Sequence, residues 1–221
     1  MRKRGVISFL FCFFSVVSFA QPTQFSIATD LGLQRSFKKG QRYWSGGHTI
    51  QGQFHFTPKD GAYVWLSYYI DGKFSNDITA TAKSPATLPQ QINYVNSASM
   101  RFKQVSIGWK KYLKGRFDIE EGWNIYGYAG FGLILGRVIN THSTSIDTVV
   151  YNVPVRVGKA NFKRLTLDLG LGWEIALGAD IFFYAEGRVW IPTTDYPSKY
   201  IFVNDNAPLV GMINAGIRIL F

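Results

Sequence analysis

Residues 165–177 read LTLDLGLGWEIAL, and this stretch decides the fold. Every odd-numbered position is large and apolar: Leu165, Leu167, Leu169, Leu171, Trp173, Ile175 and Leu177. The even positions hold Thr166, Asp168, Gly170, Gly172, Glu174 and Ala176. A period of two places the two sets on opposite faces of a β-strand. The stretch exceeds the ~5–6 residues of a common soluble strand and suits the ~9–11 of a tilted membrane-crossing one. One face suits hydrocarbon while the other carries two carboxylates. This predicts a strand in the wall of a membrane barrel.

The same alternation recurs along the chain and predicts eight strands. The first, 25–33, sets Phe25, Ile27, Leu31 and Leu33 against Ser26, Ala28, Asp30 and Gly32. The second, 49–56, sets Ile50, Phe54 and Phe56 against Gln51, Gln53 and His55. In the third, 62–71, Val64, Leu66 and Ile70 oppose Tyr63, Trp65, Tyr69 and Asp71. The fourth, 101–111, is the least regular, because Arg101 and Lys103 share the outward parity of Val105, Ile107 and Trp109. The fifth, 123–136, sets Trp123, Phe131, Leu133 and Leu135 against Tyr126, Tyr128, Gly130 and Gly132. The sixth is 165–177. In the seventh, 181–191, Ile181, Phe183 and Val189 oppose Tyr184, Glu186, Arg188 and Trp190. The eighth, 209–221, sets Ile213, Ile217, Ile219 and Phe221 against Asn214, Gly216 and Arg218. All eight prolines fall outside these strands or at their ends, as expected of a residue that cannot donate to a ladder.

The N-terminus pairs Arg2, Lys3 and Arg4 with an apolar run from Val6 to Phe19 and ends in Ser18, Phe19 and Ala20. This predicts a signal peptide over 1–20, cleaved after export, and a barrel domain over 21–221. The one cysteine, Cys12, lies within that peptide, so cysteine supplies neither catalysis nor a metal site in the exported chain. Aromatic residues make up 16% of the chain and charged residues 17%, against ~25% charged in soluble proteins. No run approaches the ~20 apolar residues of a membrane helix, and a closed barrel is the other structure that satisfies its backbone in lipid.

The predicted connections alternate: tight after the second and sixth strands (57–61 and 178–180), moderate after the fourth, and long over 36–48, 72–99, 137–163 and 192–208. Short periplasmic turns and long outer loops are the pattern of outer-membrane barrels. A soluble sandwich also alternates, but its polar face meets water. Here no charge interrupts the middle of the apolar faces, and lipid-facing Arg or Lys costs ~2–4 kcal/mol at the midplane. Outward aromatics also gather at the turn ends: Phe25, Phe56, Trp109, Trp123, Trp173, Phe183 and Phe221. They are predicted to form a girdle at the periplasmic interface.

These residues together resemble the small OmpA/OmpX-like outer-membrane β-barrels. The resemblance rests on the signal peptide, eight strands with short and long connections, and the last strand GMINAGIRILF over 211–221 with its terminal aromatic. It implies an all-β, eight-stranded antiparallel up-and-down barrel in the outer membrane of a Gram-negative cell. It also implies that Phe221, Ile219 and Ile217 carry the signal read by the barrel-assembly machinery. It says little about activity, since such barrels serve as structural proteins, adhesins, secretion components or, rarely, enzymes.

An eight-stranded interior is just wide enough to be filled by side chains. The inward parity puts Asp30, His55, Asp71, Lys110, Asp168, Glu174, Glu186, Arg188 and Arg218 there. Buried charges must pair, so a lumen network of Asp168, Glu174, Glu186, Arg188 and Arg218 is expected as a structural plug, with an ion path as the competing reading. Catalytic residues, metal ligands and cofactors are not expected. Glu120 and Glu121 sit in a turn with Lys114 and Arg116, the three histidines have no metal-site spacing, and His142-Ser143 lies in a loop with no carboxylate placed to orient it. Without Arg2, Lys3 and Arg4, the 24 basic residues become 21 against 14 acidic ones, a net charge of +7. Lys38, Lys39, Arg42, Arg101, Lys103, Lys163 and Arg164 either pair with lipopolysaccharide phosphates or form a solvated rim. The compartment argues against nucleic acid. The period of two over Val149, Tyr151, Val153, Val155 and Val157 either extends strands five and six or forms an outer hairpin open to a protein partner. The expected protein is a monomeric, non-enzymatic barrel with a structural or surface-interaction role; a narrow pore or secretion component is the alternative, and a lipid-modifying enzyme comes third.

Overall fold

Alternation over so many residues leaves each strand two unlike faces, and closing the sheet on itself sorts them. The computed structural model describes residues 24–178, 180–193 and 209–221, without the side chain of Asp71. The predicted signal peptide and the predicted 192–208 connection beyond Thr193 lie outside the described residues. The strands are β1 (Gln24–Ser36), β2 (Trp44–His55), β3 (Asp60–Ala82), β4 (Gln91–Lys114), β5 (Trp123–His142), β6 (Tyr151–Asn152), β7 (Gly158–Gly178), β8 (Ile181–Pro192) and β9 (Val210–Leu220). Their ladder runs β2-β1-β9-β8-β7-β5-β4-β3, and β2 also pairs with β3, so the eight long strands close into a barrel. All pairings are antiparallel. The seam joins the two ends of the described chain: Phe221 N–H donates to Phe25 O at 2.8 Å.

In β7 the deciding stretch keeps its predicted phase. Leu165, Leu171 and Leu177 face outward with more than half their surface exposed, while Thr166, Asp168 and Glu174 are fully buried in the lumen. The lumen is filled in two apolar layers with polar groups between and around them. Tyr69, Met100, Phe102, Ile134, Val138, Phe162, Trp190 and Met212 pack at the loop end, where Tyr43 from the β1–β2 loop closes over them. Tyr63, Trp65, Tyr112, Tyr126, Tyr128 and Phe182 pack at the turn end, stoppered by Phe117. Between β5 and β7 large rings face glycine across the ladder, Tyr128 against Gly170 and Tyr126 against Gly172. A Cβ on either glycine would fall inside the opposing ring, so these positions are glycine for space. The β7–β8 turn needs glycine for another reason, since Gly178 sits at φ 103°.

Three expectations are corrected. The predicted long loop over 72–99 is mostly strand: β3 and β4 stay paired out to Thr81 and Gln91, leaving a connection of 83–90. A bulge between Tyr69 and Gly72 advances β3 by one position. Inward residues are odd before it (Tyr63, Trp65, Tyr69) and even after it (Gly72, Ile78, Ala80), which breaks a period-two reading of the sequence. Likewise β5 runs on to His142 and β7 begins at Gly158, so Lys163 and Arg164 belong to the wall rather than to a loop. Finally, Val149–Val157 neither extends the barrel strands nor forms its own hairpin. Tyr151 and Asn152 make the short β6 against Ala82 and Thr81, and Tyr151 and Val155 bury into a small core with Ile78, Ala80 and Tyr94. The segment straps the projecting β3–β4 hairpin.

Gly172→Val should drive a side chain into the Tyr126 ring and cost about 1–3 kcal/mol, the usual penalty of overpacking. The readout is the folded fraction after refolding, by heat-modifiable mobility in gels. Wild-type behaviour would refute the tight Gly172–Tyr126 fit.

Candidate functional site

Inward parity delivers the buried charges from different strands, and their chemistry then sorts them into three groups. The first centres on Arg188 of β8. Its Nη2 lies 2.8 Å from Asp30 Oδ2, and its Nη1 donates to Thr49 Oγ1 at 3.0 Å. It also pairs with Glu186 and stacks its guanidinium 4.5 Å from the Trp65 ring centre. Asp30 accepts further bonds from Tyr184 OH at 2.9 Å and Asn214 Nδ2 at 2.8 Å. Both carboxylates thus share one guanidinium, and hydroxyl and amide donors satisfy their remaining lone pairs.

The second group lies toward the turn end. Arg218 of β9 grips Glu174 with two nitrogens, Nη2 to Oε1 at 2.9 Å and Nε to Oε2 at 3.2 Å. Its remaining donors reach Ser26 Oγ at 3.0 Å and the Phe117 carbonyl at 2.7 Å. Lys110 Nζ sits 3.7 Å from Glu174 Oε2, donates to Gln53 Oε1 at 3.0 Å, and lies 3.7 Å above the Tyr126 ring. His55 is 2.7 Å from Ser26 and stacked on Phe117 at 4.2 Å. Tyr126 links the two groups, since its OH donates to Glu186 Oε2 at 3.0 Å.

The third group is Asp168 alone among neutral donors. Gln104 Nε2 reaches both of its oxygens at 2.9 Å, Thr166 Oγ1 donates at 2.7 Å, and Ser106 closes the remaining side. No ion pair among the described residues includes it. The expected single network is therefore corrected. Glu186 goes with Arg188, Glu174 goes with Arg218, and Asp168 joins neither. Asp30 and Lys110 complete the pairs. Their inward parity was readable, whereas the cross-lumen partnering depends on strand stagger. Phe117 was missed, because a turn phenylalanine carries no signal that it will turn into the barrel mouth. Asp118 beside it has its carboxyl held below the usual range, chiefly by its hydrogen bond from Arg116.

On the outside, Phe56, Trp109, Trp123, Trp173, Phe183 and Phe221 are exposed and Phe25 is partly so. Phe25 touches Phe54 and Phe221, and Phe56 touches Trp109, giving a ring of aromatics around the turn end. Ile217, Ile219 and Phe221 face outward along β9. Of the basic residues expected on the rim, Lys39 and Arg42 are exposed and Lys38 is half-buried in the β1–β2 loop, while Arg101, Lys103 and Lys163 face outward on the wall. Arg164 does not belong with them. It is 1% exposed, points into the lumen, and lies 5.3 Å from the Phe162 ring. Its even number, shared with Thr166 and Asp168, was the signal.

His142 is half-buried against Tyr94 at 4.5 Å, and Ser143 Oγ accepts from Val95 N–H at 3.0 Å rather than meeting the imidazole. Among the described residues no cluster of three or more His, Cys, Asp or Glu side chains could hold a metal.

Arg218→Ala should leave Glu174 with Lys110 as its one cation, beside the Asn124 amide that also donates to it, and lower stability by about 3–5 kcal/mol, the cost of breaking a buried pair. A lower urea midpoint of the refolded barrel, partly restored in Arg218→Lys, is the expected result. An unchanged midpoint would refute the second group as a stabilising element.

No protein-family model and no curated protein matches the chain. Solved structures do. A major outer membrane protein from Thermus thermophilus superposes with a TM-score of 0.56 at 11% identity, over 91% of this chain and 100% of that one. Neisserial surface protein A gives 0.55 at 13% identity, over 89% and 97%. Ail of Yersinia pestis, the attachment invasion locus protein, in complex with the heparin analogue sucrose octasulfate, gives 0.51 at 12% identity, over 91% and 100%. This chain thus has the fold of the small eight-stranded outer-membrane β-barrels, the OmpA/OmpX-like architecture.

Proposed function

We propose that the protein is a non-enzymatic integral outer-membrane barrel with a plugged lumen, serving envelope structure or contacts at the cell surface. The observation that carries this reading is the filled interior. Tyr43 closes one end, Phe117 the other, and the charges between them are tied to one another or to fixed donors. A conducting path needs charges that face water and ions, and the arrangement here instead holds each charge on protein partners.

The outward belt supports insertion. Leu31, Leu66, Ile107, Phe131, Leu171, Ile213 and Ile217 are exposed around the whole circumference, an arrangement that suits hydrocarbon. In this reading the turn end faces the periplasm with its aromatic ring at the interface, and the strapped β3–β4 hairpin projects outward. The signal peptide and the β9 residues Ile217, Ile219 and Phe221 then serve export and assembly. The surface-interaction role is supported by the similarly folded Ail, whose name refers to attachment and invasion.

Reconstitution into a planar bilayer tests the plug directly. The expected result is a folded, inserted barrel with no steady conductance. Stable ohmic steps from the wild-type chain would replace this reading with the narrow-pore one.

A further inference from the structure

We propose that the outer wall of β3, β4, β5 and β7 carries a built site for the phosphate groups of an anionic lipid headgroup, formed by Arg101, Lys103, Arg137 and Lys163. The proposal rests on the membrane reading above and adds to it a specific ligand position. Register fixes the arrangement. Leu66, Val105, Leu133 and Leu165 are successive partners across the four strands and form an outward apolar row. Two residues toward the loop end, the next outward row is Tyr68, Lys103, Leu135 and Lys163. The row after that includes Arg101, Arg137 and Asn161. The change from hydrocarbon-compatible to cationic thus takes one step of about 7 Å along the strands.

Three observations single out this patch from an ordinary solvated rim. Arg101 and Arg137 are direct cross-strand partners on the same face, an arrangement that destabilises a sheet unless an anion offsets it. The ion pairs among the described residues use Lys110, Lys111, Arg116, Arg188 and Arg218, so none of these four cations is neutralised by a described carboxylate. Arg137 Nε is buried with no hydrogen-bond partner. The four side chains also line a shared hollow of about 330 Å³ with the outward-facing Tyr68, Leu135 and Asn161. Lys103 Nζ rests 5.6 Å from the Tyr68 ring, which holds the ammonium near the hollow.

The distribution is one-sided. On the opposite wall the row Val189, Gly211, Arg35 and Trp44 carries one cation, and Arg35 is stacked 4.9 Å from Trp44. Lys103 and Lys163 stand two strands apart, about 10 Å at their backbones, with Arg101 and Arg137 above them. Forked guanidiniums and ammonium groups around a hollow suit tetrahedral phosphate oxygens. The acyl chains of the same lipid would lie on the leucine row below.

The test places the full-length mature chain in phosphatidylcholine nanodiscs doped with a diphosphorylated glycolipid (lipid A) or with phosphatidylglycerol, and counts retained lipid by native mass spectrometry. The wild-type protein should enrich a doped anionic lipid over phosphatidylcholine, and the two arms report which headgroup fits. Lys103→Gln/Arg137→Gln/Lys163→Gln should lower that enrichment by about tenfold, the loss of ~1.4 kcal/mol of binding. Arg137→Gln alone should show a smaller drop, and Lys38→Gln/Lys39→Gln should show none. Equal enrichment by the triple variant, or full competition by inorganic phosphate at equal concentration, would overturn the lipid site. Insertion without enrichment overturns the site alone, whereas failure of the wild-type chain to insert overturns the membrane reading with it.

Discussion

An eight-stranded barrel has no spare interior, and this constraint governs the other features described. Closure of the ladder fixes the radius, and the radius fixes how much side chain the inward positions can hold. Where Tyr126 and Tyr128 enter, their rings lie over their β7 partners Gly172 and Gly170, where a Cβ has no room. Charges admitted to so narrow a space lose most of their water, and they remain only where a partner or a set of fixed dipoles replaces it. Arg188 and Arg218 each meet this requirement by engaging carboxylates and neutral acceptors together.

The same constraint explains how three carboxylate environments coexist in one lumen. Glu174 is balanced by a guanidinium and an ammonium, while Asp30 and Glu186 divide one guanidinium between them. Asp168 is held by dipoles alone. Tyr126 touches both charged groups, by its hydroxyl to Glu186 and by its ring to Lys110. A substitution there would be felt by both, even though the two ion-pair groups share no charged residue.

The barrel was legible in the sequence because period two is a strong signal wherever one face is wholly apolar. All eight long strands were found, and the phase of their inward and outward faces was right at the described side chains within the ranges read; the expected inward Asp71 lies outside them. Legibility failed where that contrast fades. Beyond Gly72 and Arg137 both faces of the hairpins are polar or mixed, so residues such as Asn76, Asn96 and Thr141 resemble a loop although they are paired. Arg164 shows a different failure, for it was grouped with neighbouring bases by composition when its parity already placed it inside. Which lumen charge meets which depends on more than parity; Glu186 and Arg188 are same-face neighbours on one strand, but the other partners are not neighbours in sequence. Asp30 with Arg188 and Glu174 with Arg218 come from strands distant in sequence and are brought together by stagger around the barrel.

The bulge between Tyr69 and Gly72 has a consequence for how this chain can vary. Below it, each inward residue is bound to the ladder of a closed cylinder, and a shift of one position would put lumen side chains on the outer wall. Above it, the hairpin first meets the barrel rim, where Phe74 stacks on Tyr43 and Asn76 donates to the Gly40 carbonyl, and farther out it packs on its own small core of Ile78, Tyr94, Tyr151 and Val155. The extra residue works as a phase joint, letting two structures with different geometric demands share the same continuous strands. Lengthening, trimming or resurfacing of the part beyond Asn76 can therefore proceed without retuning the barrel beneath it, so a surface open to change is mounted on a wall that is not.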